Sequence, residues 1–168
     1  MKTQFFDQPT NGITYVRIKV NLKNLPEPLR LFMPMFAEFY PHIGTKNYKY
    51  DEFNNKMLGC TSGLRADIDK YSRSEIITDL NDKSENFILS TGFLDQNVNK
   101  AFECLQEIIA TPDFDDPSNI ADLLKMESIS LANNIGNKGL SYARSYSASG
   151  LKAYAGSFES LRSDVFFC

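Results

Sequence analysis

VRIKVNLKNLPEPLRLFMPMFAEFYPH, from Val16 to His42, changes its period halfway along, and that change decides the fold. Val16, Ile18, Val20 and Leu22 alternate with Arg17, Lys19 and Asn21, the spacing of a strand with one buried face. Asn24 to Pro28 breaks the alternation with two prolines, which sit comfortably at a helix start because an N–H is unpaired there anyway. From Leu29 to Tyr40 apolar residues fall on nearly every side: Leu29, Leu31, Phe32, Met33, Met35, Phe36, Phe39 and Tyr40. A helix apolar all round is expected to be buried. Pro34 is a first-turn residue or bends the helix slightly, and Pro41 stops it.

Downstream, Tyr50 to Leu58 reads as a shorter helix ending at Gly59, followed by a Thr61-Ser62-Gly63 turn. Leu64, Ala66 and Ile68 alternate with Arg65, Asp67 and Asp69, a second strand. Ser72 to Ser84 is polar and irregular, with Ile76 and Ile77 available for a short strand. Phe87, Leu89 and Thr91 mark another strand, with Phe93 just beyond Gly92. The period then lengthens: Val98, Ala101, Phe102, Leu105, Ile108 and Ile109 share one helical stripe. Asp116-Pro117 is a strong helix start, a side-chain cap followed by proline. Ile120, Leu123, Leu124, Glu127 and Leu131 continue that helix to an expected stop at Gly136. Leu140 to Arg162 reads as a further long helix, with Gly150 as its one point of interruption.

Strands run together, then helices run together. That order indicates an α+β fold, an antiparallel sheet with helices packed on one face, spanning 1–168 as one domain. The 168 residues are 42% hydrophobic and 23% charged, enough for a real core. The formal net charge of −3 gives no electrostatic reason to expect nucleic acid or an anionic membrane as partner. No apolar run is long enough to span a bilayer, and Met1 to Gly12 carries no targeting pattern. Cys60, Cys104 and Cys168 are far apart and odd in number, which suits reduced thiols better than a disulfide scaffold.

Candidate chemistry is thin. Glu38 and His42 are four residues apart, a helical spacing for two metal ligands. His42 is the only imidazole of the chain and follows Pro41, past the helix end, so a surface or capping role fits it better. Gly59 to Gly63 resembles a nucleophile elbow with its serine one place off, and Cys60 would need His42 as base. A tight turn is the simpler reading. Gly136-Asn137-Lys138-Gly139 lacks the phosphate-loop spacing and reads as a helix–helix turn. Asp113 to Asp116 is too short and proline-broken for a calcium loop.

Three segments carry a family resemblance. "TNGITYVRIKVNLKNLPEPLRLFMPMFAEF" (10–39) resembles the start of the C-terminal half of pitrilysin-type (insulinase-like) zinc metallopeptidases, nearest the mitochondrial presequence protease subfamily. "IGTKNYKYDEFNNKMLGCTSGLRADI" (43–68) is similar to the helix and turn that follow there, and "PDFDD" (112–116) fits more loosely. The resemblance implies a helix equivalent to the His-x-x-Glu-His helix of the family's catalytic half. Counting back from Gly44-Thr45, that motif falls on Met35-Phe36-Ala37-Glu38-Phe39. Glu38 would stand at the general base, and Met35 and Phe39 at the two zinc-binding histidines. Neither side chain offers an imidazole nitrogen.

The implied role is therefore a non-catalytic, chamber-forming part of a mitochondrial zinc endopeptidase, roughly its third quarter. It would hold no catalytic residue, cofactor or metal of its own; zinc would sit in the catalytic half. Its partners would be that half and short unfolded peptides, cleaved presequences among them. The family's late Arg and Tyr pair has no match, Arg144 and Tyr146 being in the wrong setting. The end at "DVFFC" (164–168) lacks a helix stop, as in a truncated chain. The competing expectation is a stand-alone α+β module that dimerises or binds a partner through its apolar helix.

Overall fold

A computed structural model describes residues 2–72 and 83–149. Three strands, β1 (Ile13–Asn21), β2 (Arg65–Ser72) and β3 (Lys83–Leu94), form an antiparallel sheet in the order β1-β3-β2. Helices α1 (Glu27–Arg30), α2 (Met33–Phe39) and α3 (Tyr50–Leu58) lie between β1 and β2 in the chain. Helices α4 (Val98–Ala110) and α5 (Pro117–Ser149) follow β3. The fold is α+β, as the grouping of periods implies. Positions 76, 77 and 150–162, for which a strand and a helix are expected, lie outside the described residues.

The register explains which face is buried. Ile18, Leu89 and Ala66 stand in one cross-strand row and Val20, Phe87 and Ile68 in the next, all on the helix side. The opposite face carries Arg17, Ser90 and Arg65, then Lys19, Ile88 and Asp67. Phe93 belongs to β3 itself rather than lying beyond it; it is buried and meets the Phe102 ring edge-on at 5.9 Å. Phe102 and Ile109 sit at the margin of the α4 stripe and are about half exposed, whereas Ala101, Cys104, Leu105 and Ile108 are buried.

Between Leu29 and Tyr40 the expectation of one buried helix needs correction. Pro34 has no N–H for the Arg30 carbonyl, and its ring crowds that carbonyl. The chain answers by ending α1 at Arg30 and restarting α2 with Pro34 in its first turn. Pro41 does the same to Ala37, and α2 tightens into a 3-10 turn, Tyr40–His42. Nor is the helix buried all round: Ala37 is the one fully buried residue of α2, while Phe32 just before it is 57% exposed.

Arg30 anchors this break. Its guanidinium donates to the carbonyls of Leu25 (3.1 Å), Lys23 (3.0 Å) and Leu22 (3.4 Å), and pairs with Glu85 of β3 at 3.6 Å. Glu85 is only 8% exposed, so the pairing is largely shielded from water.

Tyr40 joins the layers. Its ring packs on Phe36 (5.3 Å between centroids) and edge-on against Phe87 of the sheet (5.5 Å). Its hydroxyl donates to the Ile108 carbonyl of α4 at 2.9 Å. That carbonyl needs an outside donor, because the residue four places on is Pro112. Beside it, Thr45 bridges to Pro112, Lys46 N–H donates to Thr111 O, and Asp113 N–H to Gly44 O. Gly44 is demanded here: a Cβ would lie 2.7 Å from the Tyr48 carbonyl oxygen. Glu107 completes the corner, accepting from Asn47 at 2.6 Å and from the Thr111 hydroxyl at 3.2 Å.

Helix α5 also departs from expectation. It does not stop at Gly136 but runs from Pro117 to Ser149 through both Gly136 and Gly139. Each glycine costs roughly 1 kcal/mol of helix propensity relative to alanine, too little to end a long helix with no proline after it.

The corner and its anchor can be tested by substitution and by pH. Tyr40→Phe should lower unfolding free energy by about 1–3 kcal/mol in urea titration, because the Ile108 carbonyl stays buried without its donor. Arg30→Ala should cost about 2–3 kcal/mol by the same measurement, with Arg30→Lys recovering only part. The hydrogen bonds from Asn47, and then those from Thr45 and Thr111, hold the Glu107 carboxyl below its ordinary value of 4.5. A depressed carboxyl stabilises the fold above its unfolded value and ceases to as pH falls through the folded one. Urea midpoints measured on both sides of that window should fall on acidification, and Glu107→Gln should flatten the fall.

Candidate functional site

The prolines that bracket α2 also set what it presents. Phe36 and Ala37 face inward: the Phe36 ring lies 5.4 Å from that of Phe87 and 6.1 Å from that of Phe114, and Ala37 is 4% exposed. Met35 and Glu38 are exposed and Phe39 is half-buried. Where two imidazoles would be needed, Met35 offers a thioether and Phe39 a ring with no donor, so this surface does not fit a zinc ion.

Glu38 has another neighbour. Glu127 of α5 is held above the ordinary carboxylate range, first by burial and then by the negative charge of Glu38. His42 is not drawn to Glu38. Its Nδ1 lies 3.1 Å from the Tyr50 hydroxyl, the two rings meet near edge-on at 5.8 Å, and its carbonyl accepts from Asn119 Nδ2 at 3.0 Å. The histidine therefore ties the 3-10 turn to α3 and α5. Among the described residues no three of His, Cys, Asp and Glu converge as a metal-ligand group.

The Gly59–Gly63 turn is structural in its contacts. The Thr61 hydroxyl donates to Met57 O (2.8 Å) and accepts from Gly63 N–H (3.1 Å), closing the end of α3. Gly92 N–H donates to the Ser62 hydroxyl and Ser62 N–H to Gly92 O, fastening the turn to β3. The Cys60 sulfur lies against the carbonyls of Lys56 and Met57 and 3.9 Å from the Cys104 sulfur. Burial, and then neighbouring Cys60, push the Cys104 thiol up to about 11. With His42 engaged by Tyr50, no base stands beside Cys60.

The other sequence candidates resolve equally plainly. Asp116 Oδ1 accepts from Ser118 and Asn119 N–H, both at 3.1 Å, the helix cap expected from Asp116-Pro117. Asp113 Oδ1 accepts from Asp115 N–H at 3.0 Å and so shapes the linker. Gly136 to Gly139 lies inside α5, where helical N–H groups are already paired and do not form an anion-binding turn. Arg144 is exposed on α5.

The extent of uncovered apolar surface is not foreseen by the sequence. Leu29, Leu31, Phe32 and Met35 form an exposed run on α1 and α2, with Phe114 half-exposed nearby. Helix α5, about 50 Å long at 1.5 Å per residue, half-buries Ile120, Leu123, Glu127 and Leu131 but leaves Met126, Ile129 and Leu140 more than 60% exposed. Apolar residues on every side of 29–40 are the signal for this. Within the described residues only one side of that stretch is covered.

Comparison with known proteins assigns this architecture. The chain is 31% identical over 153 residues to the mitochondrial presequence protease of Gibberella zeae, covering 89% of this chain and 15% of that protein. It is 29% identical over 148 residues to the same-named protein of Danio rerio (88% and 14%) and 28% over 152 residues to that of Schizosaccharomyces pombe (90% and 15%). The chain thus spans only 14–15% of the length of these relatives. A family model for a peptidase-associated region, that of the pitrilysin-type class with the presequence proteases in it, matches residues 1–162. The match takes in the strands and helices described above, and the chain belongs to that family.

Proposed function

We propose that this chain serves as a non-catalytic, chamber-forming part of a mitochondrial zinc metalloendopeptidase that degrades presequences and other short unstructured peptides. One observation carries the reading. The helix aligned with the family's zinc-binding helix is kept in shape by its prolines and aromatic packing, yet presents Met35 and Phe39 where the chemistry needs two imidazoles. Glu38 alone is a carboxylate without an ion or water to activate. Zinc and hydrolysis belong to the catalytic half of the parent enzyme. Residues 1–168 supply wall and peptide contacts as one α+β unit.

The uncovered run on α1 and α2 supports a packing role, since contiguous exposed apolar surface marks an interface. Mitochondrial location follows the names of the relatives.

The purified chain, incubated with zinc and a basic amphipathic presequence peptide, should leave the peptide intact by mass spectrometry. The same chain should bind a hydrophobic dye strongly, and Phe32→Glu with Met35→Glu should reduce that signal. Zinc-dependent cleavage by the chain alone would overturn the proposal.

A further inference from the structure

Two buried thiols have no part in a chamber wall or a peptide contact. Cys60 closes the end of α3 and Cys104 lies in the middle of α4, and both are free. They are 44 residues apart in sequence, with their sulfurs 3.9 Å apart. Cys60 is 7% exposed and Cys104 1%.

We propose that Cys60 and Cys104 form a reversible dithiol–disulfide pair that, when oxidised, staples α3 to α4. Bringing the sulfurs to the roughly 2.05 Å of a bond needs a movement of about 2 Å. Cys60 can supply it, because it stands in the turn after Gly59 rather than inside a helix. The two sulfurs already touch across the helix layer, so no strand or helix has to leave its place. The Cys60 sulfur, the more exposed of the two, is the entry point for oxidant.

A hydroperoxide is the oxidant class. The Cys60 sulfur attacks a peroxide oxygen; the O–O bond breaks, and water leaves (from hydrogen peroxide) with a sulfenic acid remaining on Cys60. The Cys104 sulfur then attacks that sulfur. The S–S bond forms, the S–O bond breaks, and the departing hydroxide takes the Cys104 proton as a second water. Two thiols lose two electrons and one peroxide gains them. A dithiol reductant restores the pair by exchange. The closed loop would contain the 61–64 turn, β2 and β3, two of the three strands of the sheet. Crosslinking across so long a loop restricts the unfolded chain strongly.

The full chain is treated with hydrogen peroxide, then analysed by intact mass, non-reducing digestion and thermal unfolding. Expected are loss of two hydrogens, a crosslinked peptide holding Cys60 and Cys104, and a Tm rise of roughly 10 °C that dithiothreitol reverses. Cys168→Ser should keep all three; Cys60→Ala and Cys104→Ala should each abolish the crosslink. The inference falls if Cys60 goes on to sulfinic acid without crosslinking. It falls equally if the crosslink runs through Cys168, or if both thiols stay reduced while urea-unfolded chain is oxidised. The wild-type mass measurement decides even if a variant fails to fold.

Discussion

The hydrogen bond from the Tyr40 hydroxyl to the Ile108 carbonyl is the joint on which the layers meet. It exists because Pro112 has no N–H to offer that carbonyl. The ring that carries the hydroxyl is held by Phe36 and Phe87, one from α2 and one from the sheet. Burial pushes the phenol above its usual value, so the hydroxyl stays a donor throughout the neutral range. Sheet, α2 and α4 therefore have to be placed together. Around that joint, the Thr45–Pro112 bridge and the Glu107 bonds fix the loop leading into α3.

Prolines shape the α2 region through what they withhold. Pro34 separates α1 from α2 and Pro41 converts the end of α2 into a tighter turn. The seven residues of α2 pack on their inner side, while the outer side is largely apolar and uncovered. Catalysis on a helix of this kind asks for two nitrogen ligands one turn apart. Packing asks only for size and shape, and Met35 and Phe39 meet the second demand alone. Retention of a scaffold after loss of its metal chemistry is physically consistent, because the inward residues Phe36 and Ala37 are separate from the positions that would bind the ion.

Much of this was legible in the order of residues. Val16, Ile18 and Val20 announced β1 and its buried face, and Asp116-Pro117 announced the start of α5, because strand alternation and helix caps are local effects. Arg30 was not legible. Its partners Leu22, Lys23 and Leu25 are near in sequence, but Glu85 is brought to it only by the pairing of β1 with β3. Gly136 misled for the opposite reason: a glycine ends a helix only when the chain turns away, and here it does not. The His42–Tyr50 contact was equally hidden, since it depends on how the loop between the 3-10 turn and α3 folds back. The uncovered side of 29–40 could be read as apolar but not as exposed, because a residue's type does not reveal what lies opposite it.

Helix α5 is rooted by its first turn, through the Asp116 cap and the Asn119 bond to His42. Its far half has few apolar contacts with the described residues. A rigid rod of about 50 Å pivoted near one end acts as a lever: a tilt of a few degrees at Asn119 becomes several ångströms at the tip. The direction in which the tip is held therefore feeds back on His42, and through its carbonyl on the 3-10 turn that carries Tyr40. Torque applied at a distant surface would thus reach the centre of the molecule by way of a single backbone oxygen.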